Sequence, residues 1–300
     1  MYHLADLRKG AIFLKLEAIL HAENNKSQLA ARSVTSIFDI ACPLVKEPTA
    51  TSQLTLTVCR GLAVSGLERI INRTDFTDKQ LVELGNAVAD AEDISAMPRA
   101  FVGERCRGIY VFKNPAVLTQ ELVGKKMLPA PIIELYKALG LADRDAIVYL
   151  DLISDYIDTT SLLLHRRQNA TDIVETKLHK ASKTHILLRM FQPTYSWITR
   201  SYLRNVAQLR TARVALAIQR YRLDTGNLPD TLGDLVPIYI DAVPGDPFDG
   251  RTLRYDKLET GFVVYSVGED KRDDGGRERL PRGERNKASS NWDITFIVER

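Results

Sequence analysis

The chain has 300 residues, 45% of them apolar, enough to bury a sizeable core and to exclude a fibre or a disordered polymer. Lys plus Arg number 41 against 38 Asp plus Glu, and a net charge of +3 singles out no polyanionic partner. Three cysteines, Cys42, Cys59 and Cys106, with no C-x-x-C pair, exclude a zinc knuckle and a disulfide framework and leave room for one bridge at most.

From Ala5 to about residue 210 the pattern is helical. RKGAIFLKLEAILHAE places Ile12, Leu16, Ile19 and Leu20 on one face, interrupted by Lys15 and Glu17, so it reads as an amphipathic helix. No run reaches the roughly 18 apolar residues that a membrane span needs. No basic-apolar-small order of a signal peptide opens the chain, which leaves an anchor upstream of Met1 as the way a membrane could be reached. SQLAARSVTSIFDIACPLV repeats the helical period through Leu29, Val34, Ile37 and Ile40, and TSQLTLTVCRGLAVSGLERIIN follows Pro48. Cys42 and Cys59 fall in these apolar helices and read as small buried hydrophobes. The next helix opens on TDKQ, where Thr77 and Gln80 have capping-box spacing. No strict 34-residue repeat is present, so the region is an irregular helical array.

KNPAVLTQELVGKKMLPAPI holds three prolines in twenty residues and reads as a loop. Helices resume in DRDAIVYLDLISDYIDTTSLLLHRR and around IVETKLHKASKTHILLRMF. Pro193 then suits the first turn of a helix of about 30 residues ending at Gly226. Its apolar seam is Ile198, Tyr202, Val206, Leu209, Leu216 and Leu223. Beyond Gly226 turn residues crowd in, and TLRYDKL, GFVVYSVG and WDITFIVE alternate as three antiparallel strands on one flank of that helix. The fold class is therefore α+β, with a helical array over 1–190 and a long helix plus β-module over 191–300.

The last part carries a family resemblance. A helix ending in Tyr221, Asp224 and Gly226 is followed by Pro229, Leu232 and Leu235, then by Pro244, Asp246, Pro247 and Phe248. Tyr255, Phe262, Ser266, Gly268, Asp270 and Asp293-Ile294 complete the order. Over roughly residues 212–296 this series resembles the globular part of the major pseudopilin of type II secretion. The resemblance implies an extracytoplasmic setting and a calcium ion held by Asp270, Asn291 and Asp293, with Asn291 standing where the family has a carboxylate. A pilus subunit begins with a long apolar helix. The equivalent helix here begins two-thirds along the chain and carries Arg200, Arg204, Arg210, Arg213, Arg220 and Arg222, so the chain borrows the fold without being a fibre subunit.

SVGEDKRDDGG, from Ser266 to Gly276, supplies the chemistry. Calcium takes six to eight oxygens, and Asp270, Asp273, Asp274 and Asp293 provide them if strand pairing brings the last beside the others. The spacing is not that of an EF-hand, with Arg272 and Pro281 at ligand positions. A second reading stands beside the first: a solvated turn paired to Arg272, Arg277, Arg279, Arg282, Arg285, Lys271 and Lys287.

Elsewhere, Asp151, Asp155 and Asp158 share a helical face opposite Leu150, Ile153, Ile157 and Leu164, the pattern of a solvated surface. His165 to Arg222 holds twelve Lys or Arg against two acids, but the cations are scattered around helices, so nucleic acid is not the expected partner. The histidines there lack metal-ligand spacing. Nucleophile-elbow, P-loop and dinucleotide-binding motifs are absent. The expected function is a non-catalytic envelope-associated binding or scaffold protein with a protein partner and a calcium-stabilised terminal module. The alternative is a hydrolase or transferase with its site between array and sheet, using Asp151, Asp155 and the basic segment from His165 to Arg222.

Overall fold

A computed structural model describes residues 2–93, 95–114, 117, 129–191, 195–278 and 292–300. The chain is α+β, with helices over most of its length and a three-stranded antiparallel sheet at the end. Cα packing separates two units: Met1–Val45, Ser52–Ile94 and Arg200–Arg300 form the first, and Lys46–Thr51 and Ser95–Thr199 form the second.

The first unit begins with α1 (Tyr2–Glu23) and α2 (Ser27–Ala41), an antiparallel hairpin. The face of α1 that goes inside is the small one: Leu4, Ala11, Ala18 and Ala22 are buried, while Ile12, Leu16 and Leu20 are 40%, 57% and 61% exposed. This reverses the expected orientation. Alanines let the two helix backbones approach closely, and the larger side chains do not fit that gap. On α2, Val34 and Ile37 are buried as expected, while Leu29 is exposed. A 3₁₀ turn, Cys42–Lys46, follows, and it leaves Cys42 exposed rather than buried. Cys59, on α3 (Ala50–Ile71), is buried as its apolar surroundings predict. The start of α4 (Asp78–Asp90) carries the full capping box: Gln80 N donates to Thr77 Oγ1, and Thr77 N donates to Gln80 Oε1.

The long helix, numbered α10 below, is Tyr195–Thr225; Pro193 lies outside the described residues. Its seam is buried through Leu216, but Leu223 is 55% exposed. Gly226, at φ 74°, closes it with its amide on Arg222 O at 2.9 Å, a left-handed position that glycine occupies without strain. The sheet runs β1 (Arg254–Lys257), β2 (Phe262–Ser266), β3 (Ile294–Val298), in that spatial order. β2 is buried along its whole length, and β3 buries Ile294, Phe296 and Val298 while turning Thr295 and Ile297 outward.

One hydrophobic core joins these parts. It contains Val34 and Ile37 of α2, Leu67 and Ile70 of α3, Val214 and Ile218 of α10, and Phe262, Val264, Phe296 and Val298 of the sheet. Packing therefore groups the first four helices with the strands, differently from a division at residue 190. Arginines of α10 reinforce this grouping. Arg210 donates to Glu92 Oε1 (2.8 Å) and to Gly245 O (2.6 Å), Arg220 to Asp78 Oδ1 (2.7 Å), and Arg204 to Glu269.

β3 is an edge strand, and an open edge is a row of unpaired amides and carbonyls that invites another chain. Here α3 covers it with side chains. Ile297 N donates to Glu68 Oε1 (2.8 Å), Asn72 Nδ2 donates to Ile297 O (2.8 Å), and Glu299 N donates to Asn72 Oδ1 (2.8 Å).

The second unit contains α5 (Ala96–Lys113), α6 (Ala130–Ala138), α7 (Leu141–Thr159), α8 (Leu164–Ala181), α9 (Ile186–Phe191) and the first turn of α10. Most of the proline-rich stretch expected to be a loop lies outside the described residues; its end, around Pro131, is the first turn of α6. α5 packs on α7 around Phe101, Phe112, Tyr149, Tyr156 and Tyr195. Asp145 is fully buried and accepts from the Tyr136 hydroxyl (3.0 Å) and Leu187 N (2.9 Å), which fixes the start of α9. No helix among the described residues is long and apolar enough to cross a membrane.

Candidate metal centre

The terminal module is organised by two buried carboxylates. The first is Asp246, 2% exposed, in the Pro-Asp-Pro-Phe step. Its Oδ1 accepts from Phe248 N and Ser266 Oγ, and its Oδ2 accepts from Val267 N and Arg254 Nη1, each at 2.9 Å. The Asp246–Phe248 contact closes the turn on itself, as aspartate readily does. The other contacts fasten the turn to the end of β2 and the start of β1. Arg254 also pairs with Asp249 and lies 3.6 Å from Asp273 Oδ2, so one guanidinium links the turn to the late acidic loop.

The second is Asp293, 1% exposed, just before β3. Its carboxylate accepts from Gly276 N (2.8 Å) and Asp274 N (3.2 Å), while its own amide donates to Arg277 O (2.9 Å). Strand pairing thus draws residues 274–277 against residue 293, the approach the sequence required. Gly276 has φ 71°, and a Cβ there would press on Tyr265 and Val263. Burial pushes the Asp293 carboxyl up to about 6, with the neighbouring carboxylates of Asp274 and Asp273 adding to the rise. Asp274 Oδ2 is shut away from solvent and has no hydrogen-bond partner.

The expected ligands therefore fall into three groups. Asp273, Asp274 and Asp293 are close enough to act on one another electrostatically. Asp270 is exposed, and its Oδ1 accepts from Arg272 N at 3.1 Å, a local turn. Asn291, with Arg279, Arg282, Arg285 and Lys287, lies outside the described residues. Among the described residues, no three His, Cys, Asp or Glu side chains are arranged to share a metal ion. The loop holds its form through backbone donors to Asp293 and Arg254 to Asp273, and Asp274 Oδ2 is the oxygen that this arrangement leaves unsatisfied.

Other residues from the module's sequence pattern take structural positions. Tyr239 OH donates to Asp224 Oδ2 (2.6 Å), and Tyr255 OH donates to Pro229 O (3.0 Å). On α7, Asp155 is tied to Lys177 Nζ at 2.7 Å, and Asp151 is exposed.

Glu68, Asn72 and Arg254 were invisible as partners in the sequence. Glu68 and Asn72 are one helical turn apart, and polar groups at that spacing beside Leu67, Ile70 and Ile71 are the only trace of their role. Burial raises the Glu68 carboxyl from 4.5 to about 7, offset in part by the Ile297 amide. The folded chain therefore holds this proton more tightly than the unfolded chain does. The resulting stability is fully present below about pH 4.5 and is lost as pH rises to about 7, on the order of 2–3 kcal/mol. Denaturation curves from pH 5 to 8 should show this fall, and Glu68→Gln should flatten it; an unchanged slope in that variant would remove Glu68 as the cause.

No protein-family model, curated protein or solved structure matches this chain.

Proposed function

We propose that the protein is a non-catalytic binding or scaffold component of the cell envelope whose pseudopilin-like terminal module is stiffened by calcium. The observation that carries the calcium reading is the buried, unpartnered Asp274 Oδ2 beside Asp293, with Asp273 adjoining. A hard cation would satisfy that oxygen and offset the carboxylate repulsion that adds to the burial-driven rise of the Asp293 carboxyl. Asp274 and Asp293 form the heart of the proposed set, to which Asp273, Asp270 and Asn291 add oxygens. The scaffold reading draws support from α10, where Arg204, Arg210 and Arg220 serve as ties within the framework.

Calcium titration into chelator-stripped protein tests this directly. At about 100 times its dissociation constant, an ion bound only by the folded state adds about 2.7 kcal/mol, a rise of a few degrees in melting temperature. Magnesium should do much less, since it demands tight octahedral geometry. Asp274→Asn and Asp293→Asn should each abolish the shift. Absence of any shift in the parent protein would leave the loop as a hydrogen-bonded, arginine-paired turn.

A further inference from the structure

Away from the acidic loop, the first unit contains a cavity of about 490 Å³ between the end of α2, α3 and α4, within the size range of small-molecule sites. Phe38, Val45, Leu56 and Ala91 give it apolar walls. Asp39, Glu83, Asp90 and Asp93 surround it with negative charge, and the exposed Cys42 thiol also lines it.

Arg60 lines the same cavity and is only 6% exposed. Among the described residues no hydrogen bond or ion pair holds it; Asp93, Tyr202 and Cys42 act on it electrostatically. Its guanidinium nitrogens are not sealed from solvent, so five donors shaped for a carboxylate remain open to an acceptor that enters the cavity. A simple anion entering here meets four carboxylates, and a simple cation leaves Arg60 unpaired while adding a like charge. A molecule carrying both signs matches both the guanidinium and the acidic rim.

We propose that this cavity binds a small zwitterion with an apolar body, of the class of a short peptide with free ends, its carboxylate on Arg60 and its ammonium at the acidic rim. The apolar walls then cover the side chains between the two charges.

Cys42 reports occupancy, and Cys106, an exposed thiol of the second unit, serves as the internal control. Alkylation of the full chain by iodoacetamide, followed by mass spectrometry, should slow severalfold at Cys42 and not at Cys106 when leucyl-leucine is added at millimolar concentration. The anion 4-methylpentanoate and the cation 3-methylbutylammonium, each carrying one charge, should protect weakly. Arg60→Met should lose the protection, and the exposed rim change Asp90→Asn, which leaves the core untouched, should weaken it. No protection of Cys42 by leucyl-leucine in the parent protein would overturn the proposal, as would equal protection by the cation alone or equal slowing at Cys106.

Discussion

Asp246→Ala is expected to destabilise the protein by roughly 3–5 kcal/mol, the cost of breaking a buried ion pair by removing one member. The carboxylate has four partners, all at 2.9 Å, and none has an easy substitute. Ser266 is fully buried, so its hydroxyl has no route to water, and the Arg254 side chain is 16% exposed. Asp246→Asn should cost less, because an amide oxygen still accepts two of the four bonds while the charge for Arg254 is gone. Urea denaturation with an unchanged slope gives both values. A loss for the alanine variant no larger than the about 1 kcal/mol of an ordinary substitution would mean that the turn is held by its prolines alone.

The second large effect lies two residues further on. Phe248 is 1% exposed, and replacing a buried phenylalanine by alanine costs about 3–5 kcal/mol through lost transfer energy and the cavity left behind. Against a typical total of roughly 5–15 kcal/mol, the variant should lose its folded baseline at moderate temperature. The two changes should not add, because Phe248 N is itself held by Asp246 and neighbouring sites couple. A Phe248→Ala protein with the parent's melting temperature would place the ring at the surface and displace the whole turn.

The helices were legible because their signals are local. Thr77 and Gln80 cap α4 as their spacing predicts, and Gly226 ends the long helix at the expected position. The three strands were legible from the turn residues that bound them, although the expected alternation appears only in β3 and β2 is buried along its whole length. What sequence could not show is which face of a helix meets which partner. In α1 both the alanines and the larger residues have helical period, and hydrophobicity favours the wrong face, because close approach to α2 rewards small volume instead. The edge contacts fail for a different reason: Glu68 and Ile297 are 229 positions apart, and nothing in either neighbourhood encodes the other. For the acidic loop, the sequence supplied Asp293 and the residues that gather round it. It did not reveal that Arg254 would take Asp273, or that Asp246 would be the busiest carboxylate of the module.

The first four helices and the terminal sheet share one core and are expected to open as one cooperative body, with α3 closing the edge of β3. Amide hydrogen exchange at Ile297 and Glu299 reads this out. Both amides should exchange only through global opening, as slowly as core positions such as Val264. In Asn72→Ala the Glu299 amide should become fast, while Ile297, still held by Glu68, remains slow. Rapid exchange of both amides in the parent protein, with the α3 core still protected, would show an open edge and contradict that expectation.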